Sequence, residues 1–363
     1  MHLPPLDVAV YPLVTMSRGT YAVQASRPSS TLSSSSSSSS ASSRTRTATP
    51  DFPSIQRIIR SVFRSSKITV YQAECLAASL HQVFLTRLAD GSCLVLKCPP
   101  SHTAVRLLRH EKHLLETERK TLETLREYTQ LPVPQLIKHD STGGALGIPF
   151  LMISHVPGRK LSEISPYLTK EEQKTIDRTL GSYVRALTSL SATQFGMTHR
   201  VFAKKGSNSW REAFLALLEA GLRDAEDMLV TIPYDSIRYY IGKHADFLED
   251  VREPRLVALN VCDPSNVLID EESKRVTGLV GFSNVIWGDP LMTGGIAEGT
   301  EAFFEGLGEC PMTTGGIRAR LLMYTAYRAI ISIVTHHYRA HLGINELEAR
   351  RQLSYALNEL AAM

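Results

Sequence analysis

Between Ile68 and Lys97 the chain carries three short runs suited to extended structure: Ile68-Thr69-Val70-Tyr71, Gln82-Val83-Phe84-Leu85-Thr86-Arg87-Leu88 and Ser92-Cys93-Leu94-Val95-Leu96-Lys97. An Asp90-Gly91 pair separates the last two, and such a pair between apolar runs is a strong hairpin signal. The expectation is an antiparallel meander that ends in a lysine, with Pro99-Pro100 stopping the strand.

The flanks of this meander have helical spacing. Upstream, Ile55, Ile58, Ile59, Val62 and Phe63 form one stripe of a helix over 53–64, with Asp51 placed to cap it. Downstream, Leu107, Leu108, His110, Glu111, Leu114, Leu115, Glu118, Leu122 and Leu125 recur at steps of three and four. Leu131-Pro132-Val133-Pro134 ends that helix, a strand passes through Leu136-Ile137, and residues 149–158 read as a buried strand running into a turn that joins two lobes. Beyond it, 170–190, 210–230, 234–248, 316–338 and 345–361 have amphipathic helical spacing. The expected class is α+β, two lobes with a small antiparallel sheet lobe over 51–157 and a mainly helical lobe over 158–363.

With 363 residues and 43% hydrophobic content the chain can bury a full core. Lys and Arg total 40 against 36 Asp and Glu, a net +4 dispersed along the chain, which argues against a nucleic-acid partner. The longest apolar stretch, around Ile330-Ile331-Ser332-Ile333-Val334, falls far short of the roughly 18–20 residues of a spanning helix. Five cysteines without C-x-x-C spacing read as reduced buried thiols in an intracellular protein. Residues 1–50 are rich in Ser, Thr and Arg and poor in acids, the composition of a disordered tail. The location expected is cytoplasmic, with a mitochondrial alternative in which that segment is a transit peptide.

Lys97 at the end of the third strand and Glu118 on the next helix match the Lys–Glu pair that holds a nucleotide's phosphates in kinases. The loop that would cover those phosphates, Ala77-Ala78-Ser79-Leu80-His81, has no glycine, so it is poorly suited to cradling a γ-phosphate with backbone amides. Together with Leu131 to Pro134, Met152 to Gly158, Ser209 to Phe214, Pro254 to Val257, Asn266 to Ile269 and Ile286-Trp287-Gly288-Asp289-Pro290-Leu291-Met292, these pieces resemble the aminoglycoside phosphotransferase and choline kinase-like family, particularly its fungal branch. The resemblance covers essentially residues 53–363. It implies a protein-kinase-like two-lobed fold, ATP and Mg²⁺ in a cleft between the lobes and a hydroxyl-bearing small molecule as phosphoryl acceptor.

The same resemblance exposes two departures within what reads as a strand-loop-strand hairpin, residues 255–266 and 276–290. Relatives present His-x-Asp ahead of the metal-binding Asn, which is Asn266 here. Anchored on Leu256-Val257, the base position holds Asn260, and counting five back from Asn266 gives Val261. Neither side chain can accept a proton near neutral pH. Asp263 is the nearest acid and the candidate for a relocated base. Where relatives have Ile-Asp-Phe, this chain has Val280-Gly281-Phe282, so Asn266 would hold magnesium without its main anionic ligand.

Other candidates read as structural. Asp289 is expected to cap the segment after the Trp-Gly-Asp-Pro turn and Asp270 to serve a hairpin turn. His102, His110, His113, His336 and His337 have no acids at metal-ligand spacing, Trp210 and Trp287 read as core anchors, and Cys262 lacks a basic neighbour to activate it. Two functions remain open. One is a catalytically impaired kinase-fold protein that binds a nucleotide, a small hydroxylated metabolite or a protein partner. The other is an active ATP-dependent phosphotransferase working through Lys97, Glu118, Asn266 and Asp263.

Overall fold

A computed structural model of the chain describes residues 50–76, 80–100, 106–144, 146–310 and 315–363. Residues 1–49, where the Ser-rich tail falls, lie outside the described residues, as do 77–79 of the expected phosphate loop and His102.

Helix α1 (Phe52–Phe63) opens on Asp51, whose carboxylate accepts the Ser54 N–H at 3.0 Å. It packs Ile55, Ile58 and Ile59 onto an antiparallel sheet of β1 (Val70–Leu76), β2 (Gln82–Leu88), β3 (Cys93–Cys98), β4 (Leu136–Asp140) and β5 (Phe150–Ser154), in spatial order β1-β2-β3-β5-β4. The turn before β3 is made as its sequence suggests. Gly91 takes φ 86°, and Asp90 Oδ1 accepts the Ser92 N–H at 2.9 Å. Alternation splits the sheet between two cores. Leu94, Leu96, Phe150 and Met152 face α1, while Leu151 and Ile153 join the larger core of the helical lobe.

The segment between β3 and β4 corrects one expectation. The single helix expected from Leu107 is a 3₁₀ turn (Arg109–His113) followed by α2 (Leu114–Tyr128). Its cause is tertiary: Glu111 Oε2 folds back to accept the Leu108 N–H at 2.8 Å, and both carboxylate oxygens are held by Arg339 at 2.8 and 2.5 Å. Arg109 is likewise drawn away, to Asp224, with its N–H at 2.9 Å and its guanidinium at 2.5 Å.

After β5 come β6 (Arg159–Lys160), α3 (Leu161–Ile164), α4 (Lys170–Thr188), β7 (Gly196–Met197), α5 (Thr198–Phe202), α6 (Trp210–Asp227) and α7 (Tyr234–His244). Then follow β8 (Arg255–Ala258), β9 (Val267–Ile269), β10 (Val276–Leu279), β11 (Val285–Gly288), α8 (Gly294–Ala297), α9 (Glu301–Leu307), α10 (Gly315–Tyr338) and α11 (Glu346–Ala362). The expected hairpin is rearranged. β9 pairs with β10, but β8 pairs with β11, so two windows of sequence are stitched into two three-stranded sheets, β10-β9-β6 and β7-β11-β8. Register decides this, because Val257 meets Ile286 and Leu256 meets Trp287, burying apolar pairs on both strands.

Helices α4 and α9 touch through glycine. A Cβ on Gly306 would lie 1.9 Å from the Arg178 carbonyl oxygen, and one on Gly181 equally close to that of Phe303. The five cysteines are free thiols, yet Cys75 and Cys310 are exposed rather than buried; Cys75 sits on β1, an edge strand. Among the described residues no helix is long and apolar enough to cross a membrane.

Candidate active site

Strand β3 lies between β2 and β5, with Lys97 opposite Val83 on one side and Leu151 on the other. Its ammonium reaches Glu118 Oε1 of α2 at 2.6 Å. The pair expected from sequence is therefore formed. Glu118 is 1% exposed and its second oxygen has no hydrogen-bond partner among the described residues. Residue His81, which the sequence marked only as part of a glycine-free loop, stands beside this pair. Burial pushes its pKa down to about 4, Glu118 and Glu111 pull it up, and Lys97 adds to the depression. The imidazole is neutral at ordinary pH. No strand alternation marks it, because it lies in a bend just before β2.

The other half of the cleft is built on the turn between β8 and β9. Asn260 is exposed and enters the turn through its carbonyl, which accepts the Asp263 N–H at 3.1 Å and Asn266 Nδ2 at 2.9 Å. Asp263 Oδ1 accepts the Ser265 N–H at 2.8 Å and Oγ–H at 2.6 Å, a side-chain turn that holds the loop's shape. The Asn266 carbonyl accepts the Val280 N–H at 2.9 Å, which ties the turn to the start of the Gly281 loop.

Gly281 has φ 83°, a left-handed conformation that favours glycine. A Cβ built there would stand 2.5 Å from Asn266 Oδ1, 2.7 Å from its Cγ and 2.9 Å from its Nδ2. The Asn266 amide thus fills the space that an acid at 281 would need. A carboxylate could enter only by turning that amide away and breaking its bond to Asn260.

Magnesium prefers hard oxygen ligands, generally including a carboxylate. Here the amide turns its nitrogen to a carbonyl, and its oxygen lies over a glycine. Among the described residues no group of three or more His, Cys, Asp or Glu side chains is placed to share a metal ion. Asn266 and Gly281 by themselves offer a magnesium ion no carboxylate and so do not fit it.

Nearby groups are structural. Asp289 caps the turn over 290–292, accepting the Leu291 N–H at 3.1 Å, and is buried. Its other oxygen accepts the Tyr324 hydroxyl at 2.7 Å, and that hydroxyl in turn accepts Trp210 Nε1 at 2.7 Å. Burial raises the Asp289 pKa, opposed by Arg320, whose Nε is 3.2 Å away. Asp270 serves its turn, accepting from Ser273. Burial drives the Cys262 thiol up to about 12, so it carries no thiolate at neutral pH. His336 and His337 meet the Ile344 carbonyl and Glu346. His113 stacks on His199 of α5, ring centroids 4.2 Å apart.

A family model described as the phosphotransferase enzyme family matches residues 76–294, from the end of β1 through the Asn266 and Gly281 loops. The chain belongs to that family. As a phosphotransferase-family protein it has a kinase-like architecture. Among solved structures, a thermostable mutant of aminoglycoside phosphotransferase APH(4)-Ia in ternary complex with AMP-PNP and hygromycin B superposes with a TM-score of 0.59 at 14% identity, over 85% of this chain and 100% of that one. A protein of Thermobifida fusca described as a fructosamine-3-kinase gives 0.58 at 15%, covering 85% and 99%. APH(2")-IIa in complex with gentamicin gives 0.55 at 13%, covering 87% and 97%. At these identities the likeness establishes the fold alone. A comparison with curated proteins returned no match.

Proposed function

We propose that this phosphotransferase-family protein binds a nucleotide at the Lys97–Glu118 pair without transferring its phosphoryl group, and acts as a nucleotide- or small-molecule-binding accessory. The observation that carries this reading is Gly281, held at φ 83° with the Asn266 amide in the space an acid would occupy. Phosphoryl transfer depends on positioning and on neutralising charge with metal, helped by a base on the acceptor hydroxyl. Asn260 and Gly281 supply neither. Asp263 would be the relocated base, but its Oδ1 is engaged by Ser265 within the exposed turn. The second ligand would be a hydroxylated metabolite or a protein. Its place of action is the cytoplasm, with the mitochondrion as alternative through residues 1–50.

The test is equilibrium binding of ADP and ATP to the full chain in EDTA and in Mg²⁺, with ATP turnover measured in parallel. Binding of similar strength in both conditions with background turnover is expected. Strict magnesium dependence accompanied by turnover on a hydroxylated acceptor would overturn the reading.

A further inference from the structure

Residues 52–73 hold Arg57, Arg60, Arg64 and Lys67 and no acid, a charge of +4 that equals the net charge of the whole chain. Helix α1 turns Ile55, Ile58 and Ile59 onto the sheet, so the three arginines, at steps of three and four, share the opposite, solvent side. The chain that follows is tied along the helix: Gln56 donates to the Ile68 carbonyl at 3.0 Å and accepts the Val70 N–H at 2.7 Å, and Arg60 Nε donates to the same carbonyl at 3.1 Å. Lys67 and Tyr71, next to those two residues, are thereby kept beside α1. All four bases are exposed, and among the described residues none is in an ion pair. The bordering acids are engaged elsewhere. Asp51 accepts from Ser54, with Arg57 only a minor influence on it, and Asp90 accepts from Ser92. Glu74, the next acid, stands opposite Leu85, on the sheet face of Lys97 and not that of α1.

Aromatic rings border these cations. Phe52, Phe63 and Tyr71 are 46%, 40% and 77% exposed, and Phe52 and Phe63, three helical turns apart, lie along one edge of α1. Bases alone would suit any polyanion, but protruding rings gain only from a partner that can bury them, and an anionic lipid interface offers both. We propose that the outer face of α1, with Lys67 and Tyr71, docks on an anionic lipid bilayer, the four bases meeting headgroup anions and the three rings entering the headgroup boundary. No helix among the described residues is long and apolar enough to span, so the attachment is peripheral. Since α1 covers the Leu94 and Leu96 face of the sheet and Lys97 lies on the other, docking leaves the Lys97–Glu118 cleft open to solvent. The proposal goes beyond the nucleotide reading and does not depend on it.

The test is co-sedimentation of the full chain with phosphatidylcholine vesicles, with and without phosphatidylserine, at low and high salt. Binding is expected only to the vesicles that contain phosphatidylserine, and it should weaken as salt rises. Arg57→Gln combined with Arg64→Asn, Asn being tolerant of the left-handed backbone at 64, should lower the partition coefficient about 25-fold, roughly fivefold for each base, with the melting temperature unchanged. Phe63→Ser should weaken binding roughly three- to tenfold by a factor that salt leaves unaltered. Equal binding to both kinds of vesicle, or none to either, overturns the proposal. So does binding undiminished in the arginine variant, which would move the contact to the bases of residues 1–50. Vesicle binding lost in the arginine variant but intact in Phe63→Ser, with equal retention on duplex DNA, would mark a general polyanion face and overturn the assignment to lipid.

Discussion

The two halves of the cleft differ in what has been kept. On the sheet side, Lys97 and Glu118 form their ion pair at 2.6 Å, and the turn leading to Glu118 is fastened to the helical lobe by Arg339 on Glu111 and by Asp224 on Arg109. On the helical side, hydrogen bonds among neutral groups hold the loops together. Asn266 joins Asn260 to Val280 through hydrogen bonds, and its amide packs over the glycine at 281; in the proposed reading these two neutral residues stand where carboxylates would act. The contrast teaches that backbone hydrogen bonds and buried apolar pairs hold a loop's shape independently of the charges it displays. Scaffold and chemistry are separable here.

The largest effect should come from breaking the fastened side. Arg339→Met leaves Glu111 as a buried charge without its counter-ion, held only by the Leu108 N–H, which should cost about 3–5 kcal/mol in denaturant unfolding. ADP affinity should fall with it, because α2 loses its anchor. A stability unchanged within error would show that the pair is not what fixes the turn.

Next is the emptied side. Gly281→Asp imposes a side chain on a left-handed residue and displaces the Asn266 amide, so about 1–3 kcal/mol should be lost. Magnesium-dependent ATP turnover should stay at background. Its appearance in this single variant would mean that Asn266 rotates freely and that the two halves are less different than drawn.

Acid sensitivity should separate the halves more finely. The His81 pKa is about 4 in the folded protein against about 6.5 when unfolded. The unfolded chain therefore binds more protons between those values, and stability falls as pH drops from about 6.5 to about 4, with no contribution from this ring above that window. In melting curves across that range, His81→Gln should flatten the decline. His110 and His199, also held neutral by burial, retain their shares.

The smallest effect is expected at Asp263. Removing its two bonds to Ser265 with Asp263→Ala should cost about 0.5–1.5 kcal/mol and leave ADP affinity unchanged. A selective loss of ATP turnover in that variant would identify a relocated base and undo the contrast.

Much of the architecture was legible because it is local. The Asp51 cap, the Asp90-Gly91 turn, the Asp270 turn and the Asp289 cap each join residues two or three apart. Lys97 and Glu118 are 21 residues apart, but one strand end and one helix face bring them together. The 3₁₀ break at 109–113 was not legible, since its cause, Arg339, lies 228 residues from Glu111. Nor was the pairing of β8 with β11, which depends on which apolar faces become buried together. The exposure of Cys75 follows from an edge position that no local pattern encodes.

Sequence alone determined the order of strands and helices and the identity of residues 260 and 281, because periodicity and covalent chemistry are properties of near neighbours. Tertiary structure alone decided that the Asn266 amide occupies the space beside Gly281 and that Arg339 reaches Glu111. Those placements arise where segments distant along the chain compete for one volume, and only folding sets which side chain fills it.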